Sequence, residues 1–157
     1  MTDEKNSSVS MEMRISKLRN GAVIDHLRPG TAMKAIQVLG VTDGSTLSIG
    51  MFLDSKKMGR KDLIKIENRT LTAKEINKIA VLSPEATLCN IRDYKVVQKT
   101  KAHLPREIPV IVRCNNPKCI TNHEKVGTLF VVVEDNPLKL RCRYCERAMC
   151  GDEIELV

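Results

Sequence analysis

The sequence predicts an α+β protein: an open sheet with two helices packed on one face, followed by a small all-β domain. Three observations predict it. Strand-like and helix-like apolar periods alternate up to about residue 99. The stretch TKAHLPREIP (Thr100–Pro109) then breaks the pattern with two prolines. Beyond it come short β runs separated by two pairs of cysteines.

The elements follow in order. Ala22–Leu27 reads as a short strand. Thr31–Leu39 sets Ala32, Ala35, Ile36 and Leu39 at helical spacing, with Gly40 as C-cap. Leu47, Ile49, Met51 and Leu53 alternate with their neighbours, a strand signal, and DSKKMGR turns the chain into a second strand, Asp62–Glu67. Thr72-x-x-Glu75 is a capping box, and Leu71 with Ile76 forms a hydrophobic staple around it. The helix it starts runs to about Leu82, where Pro84 stops it. Two strands, Ala86–Ile91 and Tyr94–Lys99, close the first domain around a turn at Arg92-Asp93. The later β runs are Val110–Arg113, Thr128–Val133, Leu138–Arg141 and Ile154–Val157. The expected organisation is a polar tail (1–12), a first domain (13–102), a linker (103–109) and a second domain (110–157).

Composition narrows the functional class. A hydrophobic fraction of 42% with 29% charged residues is that of a globular chain. No apolar run reaches the ~20 residues that cross a bilayer, and MTDEKNSSVS lacks an apolar signal core, so a cytoplasmic protein without membrane contact is expected. Aromatic residues are few: Phe52, Tyr94, Phe130 and Tyr144, with no Trp. Bases of single strands stack on aromatic side chains, and this chain offers little of that surface. Charge is uneven. Residues 110–157 carry seven Lys/Arg and seven Asp/Glu, so the net +7 belongs to residues 1–109, the half expected to meet an anionic ligand.

The cysteines read Cys114-NNPK-Cys119 and Cys142-RY-Cys145. Tight turns aim both sulfurs of such a pair inward, and Asn115, Asn116 and Pro117 are turn-formers. Two such knuckles make the tetrahedral four-thiolate set of a structural zinc ion, with no open position for catalysis. The alternatives are reduced core thiols or two disulfides, which the cytosol disfavours. A segment this small needs a staple of some kind. Cys150 could replace a ligand, Cys89 reads as a small core residue, and His123 as a surface loop residue. On the first domain, Lys61 and Lys65 share one face of a strand, Asp25 and His26 end the first strand, and Lys99 ends the last. Lysines could meet phosphates there, and an Asp could accept from a ribose hydroxyl or a base amino group. On spacing alone, lysines in strands are more often solvated side chains than ligand contacts.

The segments NGAVIDHL (20–27), MGRKDLIKIEN (58–68), SPEAT (83–87) and CNNPKCITN with RCRYCE resemble the aspartate carbamoyltransferase regulatory-chain family, from about residue 13 onward. The resemblance implies a ferredoxin-like allosteric domain and a zinc domain that docks on the catalytic chain. It implies a non-catalytic subunit of pyrimidine biosynthesis that binds CTP as inhibitor and ATP as activator, with homodimers of regulatory chains bridging catalytic trimers. Carried over residue by residue, base and ribose contacts fall on Asp25 and His26, and phosphate and ribose contacts on Lys65 and Lys99, with Lys61 beside them. Contacts to the base and ribose fall near Ile15–Leu18, Ile91, Tyr94 and Val96, and Cys89 stands where an Asn is expected. The metal ligands fall on Cys114, Cys119, Cys142 and Cys145. The competing class is a zinc-ribbon nucleic-acid-binding protein, suggested by the isoelectric point near 9.2. A neutral cysteine-rich domain and few aromatics argue against it. No catalytic triad, P-loop or histidine cluster is present; His26, His103 and His123 are far apart.

Overall fold

The computed structural model describes residues 17–157, so the expected tail (1–12), Ile15 and Ser16 lie outside the described residues. The chain divides into two compact units between Ala102 and His103.

The first unit runs β1 (Gly21–Leu27), α1 (Ala32–Leu39), β2 (Leu47–Ser55), β3 (Gly59–Glu67), α2 (Ala73–Leu82), β4 (Thr87–Arg92) and β5 (Lys95–Lys101). The five strands form one antiparallel sheet in the order β2-β3-β1-β4-β5. With β3 slotted between β1 and β2, and β4 on the far side of β1, the first four strands and both helices have ferredoxin-like topology. β5 extends the sheet as a hairpin partner of β4.

The core lies between sheet and helices, built on Ile24, Ile64, Ile66, Ala35 and Ile79, all fully buried. The capping box forms as the motif requires. Thr72 Oγ1 accepts from Glu75 N at 3.3 Å, and Glu75 Oε2 accepts from Thr72 N at 2.8 Å. The staple residues Leu71 and Ile76 both pack on the core. Gly40 adopts φ 60°, the left-handed cap that closes α1. The start of α1 differs from this pattern: Thr31 spends its hydroxyl on Arg28 O, and the Ala32 N–H is taken by the buried carboxylate of Asp62 instead.

β2 departs from the alternation read in the sequence. Leu47 pairs with Ile66, but the ladder slips between Gly50 and Leu53, and Leu53 pairs with Lys61. One extra residue in β2 therefore sends Leu53 to the other face of the sheet. β1 carries a matching bulge between Ile24 and Leu27. His26 and Phe52, one in each bulge, both sit at φ 55°.

The second unit holds β6 (Glu107–Pro109), β7 (Val112–Arg113), β8 (Leu129–Asp135), β9 (Leu138–Cys142), β10 (Ala148–Cys150) and β11 (Glu155–Leu156). They form a four-stranded sheet, β10-β9-β8-β6, and a two-stranded ribbon, β11-β7. The segment expected as a linker, 103–109, contributes the edge strand β6, whose fully buried Ile108 sits opposite Phe130. Pro109 is tolerated because β6 pairs on one side only. The expected strand Val110–Arg113 shortens to Val112–Arg113, because Val110 leaves the extended region at φ 64°. β10 has no counterpart among the expected strands.

Candidate metal centre and anion-binding face

The metal centre grows from two turns. In the first, Asn116 O accepts from Cys119 N and Asn116 Oδ1 accepts from Lys118 N, both at 3.0 Å. Asn122 Nδ2 donates to the carbonyls of Cys114 (2.9 Å) and Asn116 (2.8 Å), locking the knuckle from outside. His123 braces the same turn through Nε2 and Pro117 O at 2.6 Å, a loop role and not a ligand's. The second turn leaves β9: Cys142 N donates to Arg147 O and Glu146 N to Cys142 O. Glu146 takes φ 63° to finish it.

These turns bring Cys114, Cys119, Cys142 and Cys145 together with all four sulfurs within 4.8 Å of one another. Two of the separations are 3.6 Å (Cys114–Cys145) and 3.8 Å (Cys119–Cys142). A tetrahedron with metal–sulfur bonds of ~2.3 Å has edges of about 3.8 Å, so the donor set fits a four-thiolate metal ion. Burial pushes the Cys114 thiol up to about 12. Burial likewise raises Cys142. Cys145 moves the other way: burial is outweighed by hydrogen bonds from the Asn116 side chain, the Arg147 backbone and the neighbouring thiols, and its value falls to about 7. One sulfur thus ionises readily, whereas Cys114 and Cys142 need a cation to do so. Thr121 Oγ1 donates to Cys119 Sγ at 3.2 Å, a contact outside the ligand set that spacing did not reveal. Cys150 is exposed and outside the cluster.

The residues expected to bind an anion meet on the sheet face opposite the helices. Cross-strand register lines up Ser48, Lys65, Val23, Cys89 and Lys99 across β2, β3, β1, β4 and β5. Residues in one such row share a face. One step along lies a polar pair of partners, Asp25–Thr87 and Thr87–Lys101. One step the other way lies the row Glu67–Gly21–Ile91–Val96, acidic at β3 and apolar from β1 to β5. On β1, β4 and β5 the face therefore grades from charged to apolar along the strands.

Lys61 Nζ bonds both carboxylate oxygens of Asp25, at 2.9 and 3.1 Å. Asp25 Oδ1 also accepts from His26 N at 2.7 Å. His26 Nδ1 is buried without a hydrogen-bond partner, 3.8 Å from Asp25 Oδ2. Burial lowers Lys65, with Asp25 acting against that shift. Burial raises the Cys89 thiol, with Lys99 acting against that shift and Asp25 adding to it. Tyr94 is 63% exposed at φ 65°, its N–H held by Arg19 O at 3.0 Å. Lys17 and Leu18 are described as the approach to β1, while Ile15 lies outside the described residues.

Gly21 was not singled out by its sequence neighbourhood. At φ +148° an added Cβ would lie 2.1 Å from Ile66 O, so only glycine keeps β1 this close to β3 and leaves the apolar row flat. A cleft of about 470 Å³ borders the apolar end of this face, lined in part by Gly21, Asn68, Arg69, Asn90, Ile91 and Gln98. Asn90 and Gln98 continue the row of buried Ile66 and Ala22, on the helix side. Arg69 there is paired with Glu75, no unpartnered buried side-chain atom lines the cleft among the described residues, and the lysine row is the stronger candidate.

A ferredoxin-like sheet followed by a knuckle unit with four clustered cysteines defines an α+β protein with a metal-binding domain. Residues 13–103 match the family model described as aspartate carbamoyltransferase regulatory chain, allosteric domain, and residues 106–155 match its metal binding domain. The chain is 49% identical over 146 residues to an aspartate carbamoyltransferase regulatory chain of Pyrococcus abyssi, covering 91% of this chain and 96% of the relative. Counterparts in Thermococcus gammatolerans (48%; 91% and 96% covered) and Methanothermobacter thermautotrophicus (44%; 92% and 94%) are similar. The chain belongs to the family of aspartate carbamoyltransferase regulatory chains. It is thus a non-catalytic subunit that associates with catalytic chains in allosteric control of pyrimidine biosynthesis, and its second unit is a metal-binding domain. No helix among the described residues is long and apolar enough to cross a membrane.

Proposed function

We propose that residues 13–102 form a nucleotide-binding domain for CTP as inhibitor and ATP as activator, and that residues 110–157 hold Zn2+ and contact the catalytic chain, with 103–109 joining them. Phosphates lie over Lys65 and Lys99, with Lys61 beside them; His26, expected with Asp25 at the base and ribose, is reassigned to the phosphates on the strength of its buried, unpartnered Nδ1. Asp25 accepts from the ribose or base, and Ile91, Tyr94 and Val96 face the base. The chain acts as a homodimer in the cytoplasm and binds neither nucleic acid nor membrane.

One observation carries the reading: the row of Lys65 and Lys99 lies between an apolar strip, Gly21–Ile91–Val96, and a buried His26 nitrogen without a partner. A nucleotide has the same polarity from phosphate to base. Nucleotide binding changes catalysis only through different affinity for two states of the assembly. The zinc ion, held by Cys114, Cys119, Cys142 and Cys145, supplies a cross-link that orders the knuckles.

Reconstitution of this chain with catalytic trimers tests the proposal. Added CTP and ATP should shift the aspartate response in opposite senses, and Lys65→Ala should weaken both effects about tenfold or more, the loss of a charge-assisted contact. An aspartate response indifferent to both nucleotides at millimolar concentration overturns it.

A further inference from the structure

Neighbouring residues of β3 face opposite ways. Lys61 reaches the open face and holds Asp25, next to His26. Asp62 reaches the helix face and is fully buried. Its Oδ2 accepts from Ala32 N, the first residue of α1, and its Oδ1 accepts from Phe52 N, both at 3.0 Å.

The register shows why these two amides matter. The β1 bulge leaves Asp25 and His26 against Leu63, and Leu27 pairs with Asp62. The β2 bulge leaves Met51 and Phe52 against Asp62 itself, where Phe52 N has a carboxylate to meet in place of a strand carbonyl. Both bulges hold a bulky residue at φ 55°, a conformation such side chains adopt only when their surroundings impose it. The loop from β1 to α1 is pinned as well: Arg28 N donates to Ser83 Oγ at 2.7 Å, and Thr31 N and Oγ1 both donate to Arg28 O. His26 thus lies between a loop fixed at one end by Asp62 and an Asp25 fixed by Lys61.

We propose that Asp62 is the positioning residue of the anion site: one buried carboxylate sets the start of α1 and the β2 bulge together, and so holds His26 beside Lys61 in place for a phosphate. The inference rests on the nucleotide reading above. Asp62 touches no ligand. It acts through backbone amides, and it ties the phosphate end of the face to the edge strand β2. An amide in its place keeps the volume but presents an N–H to one of the two N–H donors, so one bond is lost and one repulsion gained.

The test uses the full zinc-loaded chain and compares CTP with cytidine. The wild type should prefer CTP. In Asp62→Asn the CTP affinity should fall about tenfold, the worth of one charge-assisted hydrogen bond, while cytidine affinity and zinc content stay within about twofold. Equal losses for CTP and cytidine mark a merely structural carboxylate and overturn the inference, as does an unchanged CTP preference. A second measurement needs no variant. Amide exchange in the wild type should slow about tenfold at Ala32 and Phe52 when CTP binds, beyond any change in α2. Unchanged exchange at both amides overturns the inference even if the substituted chain does not fold. A wild type that binds neither CTP nor ATP overturns the nucleotide reading itself, and the inference with it.

Discussion

Ile24, Ile64, Ile66 and Ile79 in the first unit are enclosed by two helices laid on one face of five strands. The second unit has no α-helix among its described residues. Its buried side chains, among them Phe130, Leu140, Met149 and Ile108, share the interior with three of the four clustered cysteines. Apolar area grows with the number of layers, and a single small sheet with a two-stranded ribbon closes off little of it. Order in the first unit therefore comes from packing, and order in the second from four sulfur atoms that a cation draws together. Local capping separates them further. α2 has a complete capping box in its own sequence, whereas the knuckles add to their internal hydrogen bonds others made with Asn122 and Leu129, residues outside each turn.

Removing the metal is the strongest way to break this contrast. Cys142→Ser, or extraction with a chelator, should unfold the second unit outright, since metal binding supplies on the order of 10 kcal/mol or more of its folding free energy. Nuclear magnetic resonance should show lost dispersion for residues after His103 and an unchanged pattern for β1 to β5. A second unit that keeps its dispersion without metal would mean that its apolar core suffices.

The converse experiment targets packing. Ile64→Ala opens a cavity at a fully buried position and should cost about 2–5 kcal/mol, read as a lower thermal midpoint of the first unit. Metal content and the spectrum of the second unit should not change. A shift of both transitions together would show that the units unfold as one.

The smallest effect lies in the capping box. For Glu75, burial acts upward, but the Thr72 backbone N–H and the Arg69 guanidinium outweigh it and hold the carboxyl below its usual 4.5. A depressed folded value means stability that is present above the unfolded value and lost as pH falls through the folded one. Thermal melts between pH 5 and 3 should show that loss in wild type and a flatter slope in Glu75→Gln. Thr72→Ala should cost ~1 kcal/mol at neutral pH. An equally steep slope in Glu75→Gln assigns the pH dependence to other carboxylates.

The sequence disclosed what is local. Thr72-x-x-Glu75 and the two cysteine pairs are complete within a few residues, and both form as read. The order of elements in the first unit was equally legible, because each carries its own period. β6 and β10 were not, since neither has a periodic pattern of its own and each is strand only by pairing with β8 or β9. The bulges at His26 and Phe52 escaped notice for a related reason: an alternation of apolar residues does not record where one extra residue is inserted. The row of Lys65 and Lys99 could be proposed from strand ends, yet its order across the sheet depends on register. Asp62 looked like any polar residue of a strand, and only the two amides it meets reveal what it does.

The row through Lys65 and Lys99 also works as a ruler. Three strand steps separate these lysines, from β3 through β1 and β4 to β5. At ~4.8 Å per step their backbones stand about 14 Å apart. Both side chains must lean inward to meet on a single phosphate, whereas a chain of phosphates lying across the row meets each in a relaxed rotamer. On the proposed nucleotide reading, the spacing of the sheet alone favours triphosphates over monophosphates, and it makes phosphate-chain length a measure built into the backbone, independent of which base lies over Gly21.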